Sequence, residues 1–586
     1  MDNNEILEVS NKSTLMKFLM WIFIIITVIS VFVSFALGQQ QGVVFYLGFV
    51  LVFPLGACIL YFRSKMLKYK ALYQIKTGWG KTIDRKRKLV DIKKLHEFLK
   101  TEQKEEFFID DQTSEDLDLA KIFEKLDFTL SVPGEQMLYH ILRSPMFDEA
   151  ILADRGKIIK LFQSNNALRE KIQLELYLLG RQFKTTITDF LWGELPPKSK
   201  ITFFFNIMAS LPIIIIILMP FYGIQLGALI VFIFFINMLI HSKFRNKINQ
   251  HVDSMGYLSS LINAAKNLKT VDEPLLERYM NIFKSDTKYA KASKNTSIIG
   301  SIEGLDLIAD YINILFLNKE RKFYSVLDEL IKYRKELQRI YISLGELDAL
   351  ISIASYRTNI KSYVEPELRE DGRFLKAENI VHPLIENPVP NSIAIENGGI
   401  VLTGSNMSGK STFLRTVGIN ALFAQTICTC LAKSYSGSYF KLLSSISPSD
   451  NLLVGKSYYL GEAEAVLRII KSCEKVTPTL CIIDEIFRGT NPIERIGASA
   501  SILDYLINNN CVPIVATHDL ELTEMVDKHA YACYYFTEDV DSEGLKFDYL
   551  IRKGVSNTRN AIKLLKYLGY PDEIIENTYN RLENMI

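Results

Sequence analysis

The stretch Gly399-Ile-Val-Leu-Thr-Gly-Ser-Asn-Met-Ser-Gly-Lys-Ser-Thr412 decides the fold of the C-terminal part of this chain. Its first residues are mostly apolar and predict a short buried strand. The residues from Gly404 to Ser411 match the phosphate-loop pattern G-x-x-x-x-G-K-[ST], which requires a strand before it and a helix after it. We therefore expect an α/β domain with a mainly parallel sheet around this stretch.

The residue types in this loop suit a nucleoside triphosphate. Glycines let backbone N–H groups curl around phosphate oxygens, and the helix that follows presents its positive N-terminus. We expect Lys410 to reach the β- and γ-phosphates and Ser411 to bind Mg²⁺. The predicted cofactors are thus ATP and Mg²⁺. The predicted nucleotide-binding residues of the loop are Gly404, Ser405, Asn406, Met407, Ser408, Gly409, Lys410, Ser411 and Thr412.

Two further apolar runs end in polar side chains. Thr479-Leu-Cys-Ile-Ile-Asp-Glu485 predicts a buried strand that ends in two carboxylates, and Val512-Pro-Ile-Val-Ala-Thr-His518 predicts another that ends in a histidine. We expect Asp484 to bind Mg²⁺, Glu485 to orient or deprotonate the attacking water, and His518 to contact the γ-phosphate. Because parallel strands carry their ligand sites at their carboxyl ends, these side chains should meet at the loop.

Three segments resemble the ATPase motifs of the MutS family of ABC-type ATPases: Gly404-Ser-Asn-Met-Ser-Gly-Lys-Ser-Thr412, Asp484-Glu-Ile-Phe-Arg-Gly-Thr-Asn491 and Ala516-Thr-His-Asp-Leu-Glu-Leu522. Ser405 and Ser408 stand where the family more commonly has proline and glycine, and both are small enough to leave phosphate binding intact.

The resemblance extends beyond these motifs. Ser447-Pro-Ser-Asp-Asn-Leu452 and Gly455-Lys-Ser-Tyr-Tyr-Leu460 are similar to the family's signature segment. This similarity implies that Ser457 acts on the nucleotide of a partner subunit, and hence a homodimer. The segment His382-Pro-Leu-Ile385 resembles the family's His-Pro segment, which implies that His382 lies near the nucleotide base.

The preceding part of the chain predicts helices. Residues 113–180 and 251–365 carry apolar residues at three- and four-residue spacing. Within them, Pro133-Gly-Glu-Gln-Met-Leu138 and Leu344-Gly-Glu-Leu-Asp-Ala349 resemble the core and lever helices of MutS, which implies a DNA clamp. Spans and a basic linker fill the chain before residue 113, so we expect no mismatch-reading domain there.

Four nearly uncharged runs are about as long as a membrane-spanning helix. They are Leu15–Leu37 and Val43–Phe62, joined by Gly38–Gly42, and residues 201–219 and 221–240, split by Pro220. The alternative for the second pair is a buried hairpin of a soluble domain, but its apolar run lacks a polar face. Basic residues flank both hairpins on the same side, so the large segments should be cytoplasmic. We expect a multi-pass protein of the cytoplasmic membrane, in contact with lipid.

Composition limits the function less than the motifs do. The formal net charge is +2 and 23% of residues are charged. The overall charge of the chain therefore does not indicate a nucleic-acid-binding protein. The basic cluster at 63–88 is explained by membrane topology or by anionic lipid more readily than by DNA. The seven cysteines are scattered, which favours a reducing compartment over a disulfide framework.

The predicted fold is an α/β P-loop ABC-type ATPase domain plus an all-α MutS-like core and lever domain, with four transmembrane helices in two hairpins. The predicted domains are 1–62, N-terminal transmembrane hairpin; 63–112, basic juxtamembrane linker; 113–200, first core helices; 201–240, second transmembrane hairpin; 241–373, lever helices; and 374–586, ATPase domain. Two functions stay open: a membrane-anchored ATPase that drives a dimeric DNA clamp, and an ATP-driven membrane-remodelling or signalling device without DNA.

Overall fold

A computed structural model describes most of the chain, which divides into two compact units. The described residues are 3–81, 85–181, 187–194, 201–286, 306–405, 408–446, 458–473, 476–488, 490–541, 544–555, 565 and 567–583. The helical unit comprises Met1–Phe98, Phe128–Leu138 and Ile158–Ser355, and the α/β unit comprises Leu99–Asp127, Tyr139–Lys157 and Tyr356–Ile586. The domain boundaries predicted from the sequence stay a prediction.

Helices account for nearly all of the regular structure before residue 360. Short 3₁₀ helices at Val43–Leu51, Ile224–Leu226 and Pro274–Leu276 join some of them. The α-helices are α1 (Asn3–Gln41), α2 (Val52–Gly78), α3 (Leu89–Glu102), α4 (Asp111–Asp116), α5 (Leu119–Leu126), α6 (Val132–Arg143), α7 (Glu149–Ser164), α8 (Asn166–Leu179), α9 (Ile187–Trp192), α10 (Ile201–Tyr222), α11 (Gly227–Leu268), α12 (Glu277–Asp286), α13 (Asp306–Phe316), α14 (Asn318–Lys332) and α15 (Arg334–Asn359).

Strands and helices alternate in the rest of the chain, as the sequence predicted. The strands are β1 (Glu367–Arg369), β2 (Phe374–Ile380), β3 (Asn391–Glu396), β4 (Gly399–Thr403), β5 (Ser434–Ser438), β6 (Lys441–Ser445), β7 (Thr479–Asp484), β8 (Cys511–Ala516), β9 (Tyr531–Asp541) and β10 (Gly544–Lys553). The helices are α16 (Lys410–Thr426), α17 (Tyr458–Ser472), α18 (Pro492–Asn508), α19 (Leu522–Met525) and α20 (Asp572–Glu583).

The larger sheet of the α/β unit has the strand order β10-β9-β4-β8-β7-β6. All of its neighbouring pairs are parallel except β9 and β10. Every residue of β4, β7 and β8 is buried, as expected for parallel strands covered on both faces. The carboxyl ends of these three central strands therefore share one edge. A smaller sheet has the order β1-β5-β2-β3.

In the helical unit, α6 and α15 pack closely at the two segments that resemble MutS core and lever helices. A Cβ atom on Gly345 would lie 2.6 Å from the carbonyl oxygen of Pro133, so only glycine fits there. The buried carboxylate of Asp348 accepts hydrogen bonds from the backbone N–H groups of Leu130 and Ser131 at 2.8 to 3.0 Å. This carboxylate thus caps the N-terminal end of α6.

Three helices among the described residues are long and apolar enough to cross a membrane: Asn4–Gln41, Leu47–Gly78 and Gly227–Phe244. Almost none of their most apolar residues are buried in the protein. A fourth apolar segment, Phe203–Met219, is shorter. The structure thus offers three candidate spans and one borderline segment where the sequence predicted four spans.

The turns of both hairpins differ from the predicted ones. Helix α1 continues to Gln41 and the chain turns at Gly42, whose φ is 113°. The prediction that Pro220 splits the second pair is wrong, because α10 continues through it to Tyr222. The turn lies at Gly223, where φ is 90°. A proline inside a helix removes one intrahelical hydrogen bond, and apolar helices of this kind tolerate that loss.

Candidate functional site

The loop between β4 and α16 depends on glycine at two positions. The φ angles of Gly404 and Gly409 are 141° and 106°, in the range that side-chain-bearing residues rarely adopt. A Cβ atom on Gly404 would also lie 2.9 Å from the carbonyl oxygen of Phe536. The predicted loop residues Asn406 and Met407 lie outside the described residues. The described part brings Gly404, Ser405, Ser408, Gly409, Lys410, Ser411 and Thr412 together at the N-terminus of α16.

The ammonium group of Lys410 lies over this loop. Its Nζ donates to the carbonyl oxygens of Gly404 and Ser405, at 2.7 Å each. Burial lowers the pKa of Lys410 to about 8, and the neighbouring carboxylates of Asp484 and Glu485 limit that decrease. A buried cation above a ring of backbone groups is suited to bind an anion, because little water competes for it.

The hydroxyl of Ser411 and the carboxylate of Asp484 are adjacent. Ser411 Oγ donates to Asp484 Oδ2 at 2.5 Å. Asp484 is the last residue of β7 and is buried, so the strand itself positions the carboxylate. A hydroxyl and a carboxylate oxygen are the kind of ligands that Mg²⁺ takes, so the pair that the sequence predicted for a metal fits this ion.

Glu485 and His518 form a second pair at the same edge of the sheet. Glu485 Oε1 lies 2.9 Å from His518 Nε2, and Glu485 Oε2 lies 2.6 Å from Arg488 Nε. Burial on its own would raise the pKa of Glu485, but the hydrogen bond to His518 and the charge of Arg488 outweigh it and lower the pKa. The carboxylate is therefore ionised at neutral pH and able to accept a proton.

The backbone of Glu485 is strained. Its φ is 63°, which is uncommon outside glycine and asparagine. Its N–H donates to the carbonyl oxygen of Ala516, the last residue of β8, at 2.9 Å. The side chain of Glu485, directly after β7, contacts His518 from this bend. Such strain commonly occurs at functional sites.

A cleft of about 380 Å³ adjoins the start of α16. It is lined by Ile380, His382, Ile385, Asn387, Pro388, Val389, Asn391, Gly409, Thr412, Phe413, Thr416, Phe536 and Tyr549. Burial lowers the pKa of His382 to about 4, and the nearby charge of Arg415 adds to this effect. Its ring is thus neutral at pH 7. Because Leu384 N–H donates to His382 Nδ1 at 3.2 Å, the ring proton is on Nε2.

The sequence did not identify the residues that hold these parts together. Arg415 Nε donates to the carbonyl oxygen of Asp116 at 2.7 Å, and the side chain of Asp116 accepts from Ser444 Oγ at 2.6 Å. Lys125 Nζ donates to the carbonyl oxygen of Pro383 at 2.5 Å, next to His382. Ser405 Oγ donates to Glu538. Nothing in the local sequence indicates these contacts, because the partners are far apart along the chain.

The predicted catalytic residues Glu485 and His518 contact each other, and His518 lies next to Lys410. The predicted metal ligands Asp484 and Ser411 are hydrogen-bonded to each other. His382 lines the cleft together with Gly409 and Thr412. Ser457 of the signature-like segment lies outside the described residues.

The part of the chain that contains this site is similar to known proteins. Residues 400–586 match the family model of MutS domain V. Over 271 residues the chain is 33% identical to the DNA mismatch repair protein MutS of Thermotoga sp. (strain RQ2). The matched region covers 44% of this chain and 33% of that protein. Over 341 residues it is 28% identical to the DNA mismatch repair protein spellchecker 1 of Drosophila melanogaster, with coverages of 53% and 36%.

The chain therefore spans about a third of the length of the curated relatives that it matches. The matched region includes β4, the loop after it, and the strands that end at Asp484 and before His518. Residues 400–586 thus match MutS domain V, and about half of the chain is similar to DNA mismatch repair proteins of the MutS type.

Proposed function

We propose that this protein is a MutS-type ATPase that binds and hydrolyses ATP with Mg²⁺ at the loop of Gly404 to Ser411. One observation carries this proposal: Lys410, the Ser411–Asp484 pair and the Glu485–His518 pair converge at one edge of the sheet, beside a nucleoside-sized cleft. The loop and the N-terminus of α16 favour phosphate groups. His382, which is neutral, buried and part of the cleft lining, suits contact with a base.

Each side chain then has a separate task. Lys410 turns from the loop carbonyls to the β- and γ-phosphates, and Ser411 and Asp484 hold Mg²⁺, which neutralises phosphate charge. Glu485 orients the attacking water or takes its proton, since its carboxylate is ionised and only partly buried. His518 holds Glu485 in place at 2.9 Å and lies next to the γ-phosphate position.

By family resemblance, two copies pair through their α/β domains, with Ser457 of each copy acting on the nucleotide of the other. Hydrolysis opens and closes this pair, and the lever helices transmit the motion to bound DNA. The relatives are named for DNA mismatch repair. The candidate spans anchor the large segments at the cytoplasmic membrane, in contact with lipid. We infer DNA as the ligand without assigning direct mismatch reading to this chain.

The test is the ATPase rate of the detergent-solubilised protein with and without duplex, mismatched and branched DNA. We expect Glu485→Gln to lower the rate by roughly a hundredfold or more while ATP binding persists, because only the water-activating group is lost. ATP should convert this variant to a dimer in size-exclusion chromatography. The matched control is Glu494→Gln, at an exposed glutamate in the first turn of α18.

A DNA-dependent change in rate that disappears at high salt supports the clamp, because phosphate contacts weaken as salt rises. A wild-type rate that equals that of Glu485→Gln in every condition contradicts the proposal.

A membrane-remodelling or signalling device is the second candidate, and one observation favours it. The second hairpin is packed into the helical unit instead of standing apart from it. Asn237 of α11 donates through Nδ2 to the carbonyl oxygen of Leu315 at 2.7 Å, and His241 Nδ1 lies 2.7 Å from Glu320 Oε1. Movement of α13 and α14 would thus reach the hairpin. An ATPase rate that ignores every DNA but responds to lipid selects this candidate.

A further inference from the structure

A second cavity, of about 420 Å³, lies in the helical unit, far along the chain from the loop of the α/β unit. It is lined by Arg85, Lys86, Arg87, Lys88, Asp91, Ile92, Val132, Glu135, Gln136 and Arg181. Five of these side chains are cationic and two are anionic, so the lining carries a clear positive excess. A concave site with one dominant sign of charge concentrates ions of the opposite sign.

Two of the arginines are held in place. Arg85 NH1 donates to the carbonyl oxygen of Thr129 at 2.9 Å, and Arg181 NH2 donates to the same oxygen at 2.7 Å. Arg181 NH1 also forms a salt bridge of 2.6 Å with Glu135 in α6. These contacts fix both guanidinium groups at the wall of the cavity, which lowers the entropic cost of binding a ligand there.

The floor of the cavity is also fixed by hydrogen bonds. Gln136 Nε2 donates to the carbonyl oxygen of Asp91 at 2.7 Å, and its Oε1 accepts from Tyr341 OH on α15 at 2.8 Å. Both Gln136 and Tyr341 are buried. The cavity is thus a built feature of the helical core and not a gap between loosely placed surface chains.

The basic run differs from a solvated charge cluster in its burial. Arg85 and Arg87 are partly buried, whereas the intervening Lys86 and the following Lys88 are exposed. All four residues line the cavity, with the arginines partly enclosed by the protein and the lysines open to solvent. A run of basic residues next to a membrane span ordinarily sets only the orientation of that span in the membrane. For that role the run would not have to pack against α6.

We propose that this cavity binds a small soluble ligand that carries two or more phosphate groups, of the nucleotide or polyphosphate class. Planar guanidinium groups and ammonium groups are the usual partners of phosphate oxygens. The cavity volume falls within the range of small-molecule sites. A concave site of this size admits a phosphorylated small molecule more readily than the broad surface of duplex DNA.

The position of the cavity along the chain favours a soluble ligand over a lipid head group. Helix α2 continues for 16 residues after Phe62, where the apolar run ends. At about 1.5 Å per residue this extension is roughly 24 Å long, which is more than the depth of the head-group layer. The basic run follows the end of α2, and that end contacts the helical unit: Lys76 forms a salt bridge with Glu170, and the guanidinium group of Arg169 lies over the ring of Trp79.

The experiment measures pyrophosphate binding to the full-length protein by calorimetry, in a Lys410→Ala background that removes the loop lysine. We expect one pyrophosphate site, and the double substitution Lys86→Ala, Lys88→Ala should weaken it by at least about tenfold, as two charge-assisted contacts are lost. The matched control Lys269→Ala, Lys284→Ala removes the same charge from exposed positions of the helical unit and should leave the affinity within about twofold.

Two further probes separate the sources of phosphate. Vesicles of phosphatidylserine and phosphatidylcholine, and a single-stranded oligonucleotide, are tested with the same variants. If Lys86→Ala, Lys88→Ala reduces binding of vesicles or of the oligonucleotide but not of pyrophosphate, the proposal is overturned. It is also overturned if pyrophosphate does not bind or binds equally to both double variants. The readout needs no hydrolysis, so it stands or fails independently of the proposed ATPase.

Discussion

Lys410 is the residue whose protonation should control nucleotide affinity within an accessible pH range. Burial lowers its pKa from the ordinary value of 10.5 to about 8 in the free protein. Below pH 8 the ammonium group is charged and attracts the phosphates; above pH 8 the free protein loses that proton and must regain it to bind. We therefore expect the Kd of a fluorescent ATP analogue to rise between about pH 7.5 and about pH 9.5, approaching about tenfold per pH unit.

Lys410→Arg is the matched variant for this experiment. A guanidinium group stays protonated throughout the range, so the Kd of this variant should vary little with pH even if binding is weaker at every pH. An equal pH slope in the arginine variant would assign the effect to another group, and a flat wild-type profile would contradict the lowered pKa.

For single residues, the sequence predicts the position of those site side chains that directly follow buried strands. Asp484 and His518 fall where apolar runs end, so the parallel sheet brings them together. Arg415 and Asp116 could not be found in this way, because their contact joins residues about 300 positions apart and depends on the packing of α4 against β6. The strained backbone at Glu485 also leaves no mark in the sequence.

The contact between α6 and α15 is the element-scale feature that a single methyl group should disturb. A Cβ atom on Gly345 would lie 2.6 Å from Pro133 O and 3.1 Å from Met137 Cβ. Because a backbone oxygen cannot move aside alone, Gly345→Ala should separate the helices at a cost of roughly 1 to 3 kcal/mol. We expect a fall of several degrees in the thermal unfolding temperature of the detergent-solubilised protein.

The control for this substitution is Gly256→Ala in α11, where no atom lies within 4 Å of the added methyl group. Alanine forms helices better than glycine, so this variant should be neutral or stabilised by about 0.5 to 1 kcal/mol. Equal shifts in both variants would mean that helix propensity, and not the contact with Pro133, determines the response.

Helices and strands were predictable where periodicity is strong, and their ends were less so. The alternation from β2 onward follows the apolar runs. Pro220 misled the prediction of a turn, because an apolar helix can continue through a proline, whereas Gly223 supplies the positive φ that the turn needs. The choice of turn thus depended on backbone conformation and not on the presence of proline.

At the scale of the whole molecule, each compact unit is assembled from separate stretches of chain. Leu99–Asp127 and Tyr139–Lys157 belong with the α/β unit, while Phe128–Leu138 between them belongs with the helical unit. Composition and periodicity change slowly along the chain and cannot reveal such an alternation, because it depends on long-range contacts. Family resemblance likewise indicated related segments without indicating how they are shared between units.

The membrane topology gives the last prediction. Basic residues flank the base of both hairpins, so both tips should lie on the outer side of the membrane. Gln41 and Tyr222 are exposed at these tips. Cysteines introduced as Gln41→Cys and Tyr222→Cys should react with a membrane-impermeant maleimide in intact cells. Lys269→Cys, exposed at the end of α11, should react only after permeabilisation, and the wild-type chain with its native cysteines gives the baseline.

The two tips test different claims, because the hairpins differ in length. The apolar segment Phe203–Met219 has 17 residues, or roughly 26 Å of helix, against about 30 Å of hydrocarbon. If Gln41→Cys reacts and Tyr222→Cys stays protected, the first hairpin spans the membrane and the second does not. The contacts of Asn237 and His241 with the helical unit would then make the second hairpin a buried or interfacial element. Reaction of Lys269→Cys in intact cells would instead overturn the cytoplasmic placement of the helical unit.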